Sequence, residues 1–129
     1  NDDSCVLLIE TRYGRVLLPG DITDRREALL VARYGAALAA EVLVAPHHGS
    51  KTSSSPAFLA HIAPRYVLLP VGYRNRYRHP HPTVLARYRE RAVQQFDSAA
   101  AGAISLTLAG DGIRISEYRA RHRRYWFAD

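Results

Sequence analysis

The sequence predicts a mixed α/β fold in which a mixed β-sheet carries helices on one face. Three observations point there. Short runs rich in valine and leucine, too short for helices, end in glycine or in polar clusters, as strands buried in a sheet do. Between them lie segments that open with a hydroxyl or carboxylate cap, or with proline at the first helical position. Near the carboxyl end, an Asp-Gly turn signal joins two alternating runs, which marks a hairpin. The order is strand, strand, helix, strand, helix, strand, helix, strand, strand, a pattern that suits layered packing around one core.

Each element has its own signature. Cys5 to Glu10 and Val16 to Pro19 are apolar runs around Thr11-Arg12-Tyr13-Gly14-Arg15, a hairpin with Gly14 where φ must be positive. The second strand delivers Gly20-Asp21 at its carboxyl end. Asp24 with Glu27 three residues on reads as an N-cap and its reciprocal partner, opening a helix through Leu29, Leu30 and Arg33 that Gly35 terminates. Ala36 to Ala40 fits either helix or loop. Glu41 to Ala45 is a buried strand stopped by Pro46, after which come His47-His48-Gly49-Ser50 and a run of hydroxyls. Ser55 before Pro56 starts a helix whose apolar face is Phe58, Leu59 and Ile62, closed by Pro64. Tyr66 to Val71 is a further buried strand ending in Gly72. Tyr73 to Pro82 is a loop of arginines, aromatics and histidines, and Pro82 opens a helix with Val84, Leu85, Tyr88 and Ala92 on one inward face. Ala103 to Leu108 and Ile113 to Glu117 form the final hairpin. Residues 119–129 make a basic and aromatic tail, with Tyr125-Trp126-Phe127 near its end.

At 129 residues, 47% hydrophobic and 23% charged, the chain fits a single globular domain or a large part of one, residues 1–129. Its formal charge is +6, and Lys51 is the only lysine. Arginine forks suit phosphate oxygens, so the balance favours polyanions, although an arginine-rich genome gives the same composition. Cys5 stands alone, which excludes an internal disulfide and reads as a small buried hydrophobe. No apolar run is long enough to span a bilayer, and Asn1-Asp2-Asp3-Ser4 does not resemble a signal peptide.

Two strand ends carry chemistry. Asp21 and the His47-His48 pair supply a carboxylate and imidazoles, the donors that Zn²⁺ or Mn²⁺ takes, and a carboxylate can bridge two such ions. Spacing alone leaves this beside a plainer reading, since Gly-Asp is often a turn and paired histidines are often solvated. Asp111 reads as a turn residue, and His61 and His122 as structural or solvated side chains.

The series Leu17-Leu18-Pro19-Gly20-Asp21, then Ala45-Pro46-His47-His48-Gly49-Ser50-Lys51-Thr52-Ser53-Ser54-Ser55, then Val71-Gly72-Tyr73-Arg74-Asn75-Arg76-Tyr77-Arg78-His79-Pro80 closely resembles the metallo-β-lactamase-like domain at the C-terminus of the ComEC/Rec2 family of DNA internalisation proteins. The likeness extends into Asp97 to Gly112. Its motifs are shared with other hydrolases of that superfamily. The resemblance implies an αββα sandwich, of which this chain holds the C-terminal half, hydrolysing phosphodiester bonds with two divalent ions, Zn or Mn. It implies that Asp21 is the bridging metal ligand and that a histidine of the His-His-Gly-Ser loop is another, His48 being favoured over His47. His47 then faces the substrate phosphate or the leaving group. Asn75, Tyr77 and His79 match a polar loop beside the site, and Ser50, Lys51 and Thr52 are positioned to contact phosphate. The plainer reading of the loop is a histidine that caps a helix, and of Ser53 to Ser55 a helix cap, above all Ser55.

One departure is large: the H-x-H-x-D-H motif that defines the superfamily is absent, and His79-Pro80-His81 does not replace it. A chain opening at a strand is therefore expected to be the second half of a longer domain, binding metal weakly and inactive alone. The implied partners are DNA, gripped through its phosphates without sequence preference, and the transmembrane remainder of the same polypeptide. The implied location is a bacterial inner-membrane protein, on its extracytoplasmic face. Self-association through an uncovered sheet edge is expected as well. The competing reading is a non-catalytic DNA-binding or assembly module on a degenerate scaffold. A hydrolase of small phosphodiesters or other esters is a third.

Overall fold

The computed structural model describes residues 1–123. Among them, β1 (Leu7–Thr11), β2 (Gly14–Leu18), β3 (Val42–Val44), β4 (Tyr66–Leu69) and β5 (Gln94–Asp97) form one mixed sheet in the order β1-β2-β3-β4-β5. β1 is antiparallel to β2, with Thr11 opposite Gly14, and the remaining pairs are parallel. The crossovers carry α1 (Asp24–Tyr34), α2 (Pro56–Ile62) and α3 (Pro82–Glu90). All three step across the sheet in the same direction, so right-handed crossovers put these helices on one face. α1 packs on α2, and α3 on β5.

The period-2 alternation of the strands divides the residues between the two faces. Leu17, Leu43, Val67 and Leu69 point to the helices and join Ile22, Phe58, Leu59, Ile62, Val84 and Tyr88 in a continuous core. Each such fully buried side chain contributes about 1.5–3 kcal/mol. The opposite face carries Tyr66 and Phe96, which look across a cleft of about 690 Å³ towards a second, two-stranded sheet of β6 (Ile104–Ala109) and β7 (Gly112–Glu117). The tip of this hairpin reaches the β1–β2 turn, where Ile113 and Leu108 approach Gly14. Leu7 and Ile9 on the edge strand are exposed.

The sequence reading needs four corrections. α1 is capped by Thr23, not Asp24, and without a side-chain bond, because the Thr23 hydroxyl donates to Asp2 instead; Glu27 turns inward. β5 was not expected at all, because Gln94-Gln95-Phe96-Asp97 is an edge strand with little apolar signal. α3 stops at Glu90, so Ala92 is not on its inward face; it is exposed, at φ 54°. Cys5 is exposed too, since Val6 and Leu8 take the core side and the alternation turns Cys5 away. Two short helices, α4 (Ser98–Ala101) and α5 (Tyr118–Arg121), flank the hairpin. Arg119 to Arg121 of the expected basic tail are therefore helical, whereas Tyr125-Trp126-Phe127 lie outside the described residues.

Candidate functional site

Parallel strands deliver their carboxyl ends to one edge of a sheet, and ligands gather there because the backbone must turn away into loops. β2 ends in Gly20-Asp21 and β3 in a tight turn, Pro46–Gly49. The two ends are tied directly: the His47 N–H donates to the Gly20 carbonyl at 3.0 Å. His47, His48 and Gly49 adopt φ of 49°, 54° and 78°, a left-handed run that L-residues with side chains seldom accept. Gly49 allows the turn to close on the next loop. A Cβ there would sit 2.7 Å from the Cβ of Pro80, and the Gly49 carbonyl accepts from His81 N–H at 2.9 Å.

This geometry brings Asp21 and His48 together. Asp21 Oδ1 lies 3.6 Å from His48 Nε2, with both side chains about half exposed. His48 Nδ1 is 2.8 Å from the Pro70 carbonyl. A carbonyl only accepts, so Nδ1 carries the proton and, in the neutral ring, the Nε2 lone pair faces the carboxylate. Two acceptors so opposed can share a donor or a cation between them, such as a water or a metal ion. A ring nitrogen fixed by a carbonyl behind it is also how metal-bound imidazoles are oriented. The pair therefore fits two ligand positions of a divalent-metal site. It does not close one: among the described residues, no three of His, Cys, Asp and Glu converge to hold an ion.

His47 and His79 stand beside this corner, their rings in edge contact with centroids 6.1 Å apart. The Nδ1 atoms of both are buried without a hydrogen-bond partner among the described residues. Burial, followed by the neighbouring His47, His48 and His81, holds His79 below the ordinary imidazole range. This shift favours the neutral ring at His79, which can both accept and donate a hydrogen bond.

The other expected residues are placed as follows. Asn75 brackets its own loop, donating to the Gly72 and His79 carbonyls at 3.1 and 2.7 Å and accepting from His79 N–H at 2.9 Å. Tyr77 stacks on His79 at 5.9 Å and is otherwise exposed. Ser50 is buried with its hydroxyl against that of Thr52, whereas Lys51 is exposed. Ser55 caps α2, accepting from Phe58 N–H, and His81 caps α3. His61 bonds back to Ala57 in its own helix, and His122 stacks on Tyr118.

Sequence reasoning missed the group that holds the loop from behind. Glu27 is fully buried and accepts from the Ser54 and Ser55 N–H groups at 2.6 and 2.8 Å. Burial pushes its carboxyl up by more than these bonds pull it down. Beside it the Tyr88 and Ser54 hydroxyls meet at 2.8 Å, and Ser53 donates to the Ile22 carbonyl. An acid at an inward position of α1 was the only sequence signal for this.

No protein-family model matches the chain. It is 36% identical over 126 residues to a competence protein ComA of Neisseria gonorrhoeae, an alignment covering 98% of this chain and 18% of that protein. It is 29% identical over 128 residues to recombination protein 2 of Haemophilus influenzae, 99% of this chain and 16% of that protein. The ComE operon protein 3 of Bacillus subtilis matches at 32% over 94 residues, 73% of this chain and 12% of that protein. The chain thus spans less than a fifth of the length of these relatives. Among the described residues no helix is long and apolar enough to cross a membrane.

Proposed function

The chain belongs to the ComEC/Rec2 family of competence proteins, and from that premise we propose that it forms one wall of a two-metal phosphodiesterase site that cuts DNA during uptake. The observation that carries this reading is the Asp21–His48 pair, 3.6 Å apart, with the far nitrogen of the imidazole locked on the Pro70 carbonyl. Zn²⁺ or Mn²⁺ bound there supplies an activated water and charge stabilisation for the leaving oxygen. Asp21 and His48 would hold such an ion from this chain's side, and the rest of the ligands would come from a preceding segment of the polypeptide. His47 and neutral His79 orient the phosphate, with Asn75 holding the His79 backbone in place. Lys51 and the loop arginines attract the DNA backbone through charge alone. Such a module sits in the longer polypeptide as the soluble part of an inner-membrane protein.

The test is Asp21→Ala and His48→Ala in a protein that includes the preceding segment. Metal-dependent DNA cleavage is expected to fall about 100-fold or more for either, with bound metal reduced in parallel. Unchanged cleavage removes both assigned roles.

One observation favours a second reading. The described residues offer two ligands, not three, and the H-x-H-x-D-H run is missing. A binding module that has lost its ions accounts for that equally, and elemental analysis of the longer protein separates the two: stoichiometric Zn or Mn supports the hydrolase, its absence the module.

A further inference from the structure

We propose that the loop Tyr73–Arg78 is a platform for single-stranded nucleic acid, its two tyrosine rings stacking on unpaired bases while its arginines hold the phosphates. Tyr73 and Tyr77 are 62% and 64% exposed, more than any other large hydrophobic side chain among the described residues. Aromatic rings kept in water on one short loop are surfaces awaiting a partner. The guanidinium of Arg74 lies 5.2 Å from the Tyr73 ring centre, and that of Arg76 lies 4.8 Å from the Tyr77 ring centre. Bases stack on tyrosine faces and on guanidinium planes alike.

The loop is built rather than loose. The Asn75 amide spans it from Gly72 to His79, and Arg74 and Arg78 hold left-handed φ of 50° and 53°, which bulky residues seldom adopt. It also leads somewhere: Tyr77 stacks on His79, and His79 touches His47 beside the Asp21–His48 corner. Charge supports the same ligand. Residues 42–89 contain no Asp or Glu and seven Lys or Arg, and Arg74, Arg76 and Arg78 make no ion pair among the described residues. A duplex would satisfy the arginines only, because its base faces are already stacked. Single strands satisfy arginines and rings together.

The inference rests on the phosphodiesterase reading for where the strand goes next, but not for its binding. The experiment is fluorescence anisotropy of the 129-residue chain in EDTA, with labelled oligo-deoxythymidine and a duplex of the same length across a salt series. Tighter binding of the single strand is expected. The double variant Tyr73→Ala, Tyr77→Ala should lose about tenfold or more of single-strand affinity and about twofold or less of duplex affinity. The double Phe variant, keeping the rings, should bind like the native chain. Arg74→Gln with Arg76→Gln should weaken both and flatten the salt dependence. Both rings are exposed, so the fold is expected to persist, and thermal melts of each variant check this. Native binding without single-strand preference, or an alanine variant that loses single strand and duplex equally, overturns the platform. Because the chelator removes any metal, a failed hydrolase reading leaves this result intact, and a flat result here leaves the Asp21–His48 assignment standing.

Discussion

The loop that carries His47 and His48 has a back and a front, and they are built on opposite principles. At the back, groups are buried and matched. Glu27 receives two backbone N–H groups, Ser53 bonds to Ile22, Ser54 meets Tyr88, and Arg87 donates to the Ser53 and Ser54 carbonyls at 3.1 Å each. At the front, two imidazole nitrogens are buried without partners among the described residues, and a carboxylate faces a ring nitrogen at 3.6 Å. Buried polar groups elsewhere in proteins are nearly always satisfied, so a front left open against a closed back is a shape prepared for something else. The rigidity of one side is what permits the incompleteness of the other.

Breaking the back should have the largest effect. Glu27→Ala strands two buried N–H groups, each costing about 1–3 kcal/mol, and leaves a cavity beside Ser54 and Ser55. A total loss of about 2–5 kcal/mol is expected from urea unfolding, enough to threaten folding of a small domain. A loss below about 0.5 kcal/mol would mean that the two N–H groups find water and that the back is not the anchor.

A gentler intervention sharpens the same point through pH. Burial raises the Glu27 carboxyl above its usual 4.5. In the window just above that value the folded state holds this proton while the unfolded state has released it, so the contribution of Glu27 to stability is full below 4.5 and falls as pH rises through the folded-state value. Glu27→Gln removes the titration. The stability difference between native chain and variant, followed by unfolding from pH 4 to 7, should therefore shrink with rising pH. A difference that grows instead would show that the N–H bonds, not burial, dominate at this carboxylate.

What the sequence disclosed divides along the same line. Asp21 and His48 were legible because each ends an apolar run, and a strand end is a local signal. Ser55-Pro56 and Phe58, Leu59, Ile62 were legible for the same reason, since cap and face lie within one turn or two. Glu27 was misread as a capping partner because Asp24 is three residues away, whereas its true partners are 27 and 28 residues downstream. Edge strand β5 gave no signal because one neighbour and half burial require little apolar content. The Pro70 carbonyl that fixes the His48 tautomer is invisible to any reading of side chains. Local chemistry is written in the sequence, while the long-range ties that aim it are not.

Changing the front should cost the fold least. His48 is exposed, its ring hydrogen bond runs to a carbonyl that solvent can serve, and the left-handed backbone beneath it is held by Gly20, Gly49 and the knot behind. His48→Ala is therefore expected to change stability by about 0.5 kcal/mol or less in the same urea assay, though it removes the ring nitrogen that faces Asp21. The contrast with Glu27→Ala is the point, because two substitutions on one loop should differ several-fold in stability and in the reverse order for metal uptake. If His48→Ala destabilised the chain as much as Glu27→Ala, the front would be part of the scaffold, and the unmatched nitrogens beside it would need an explanation within the fold itself.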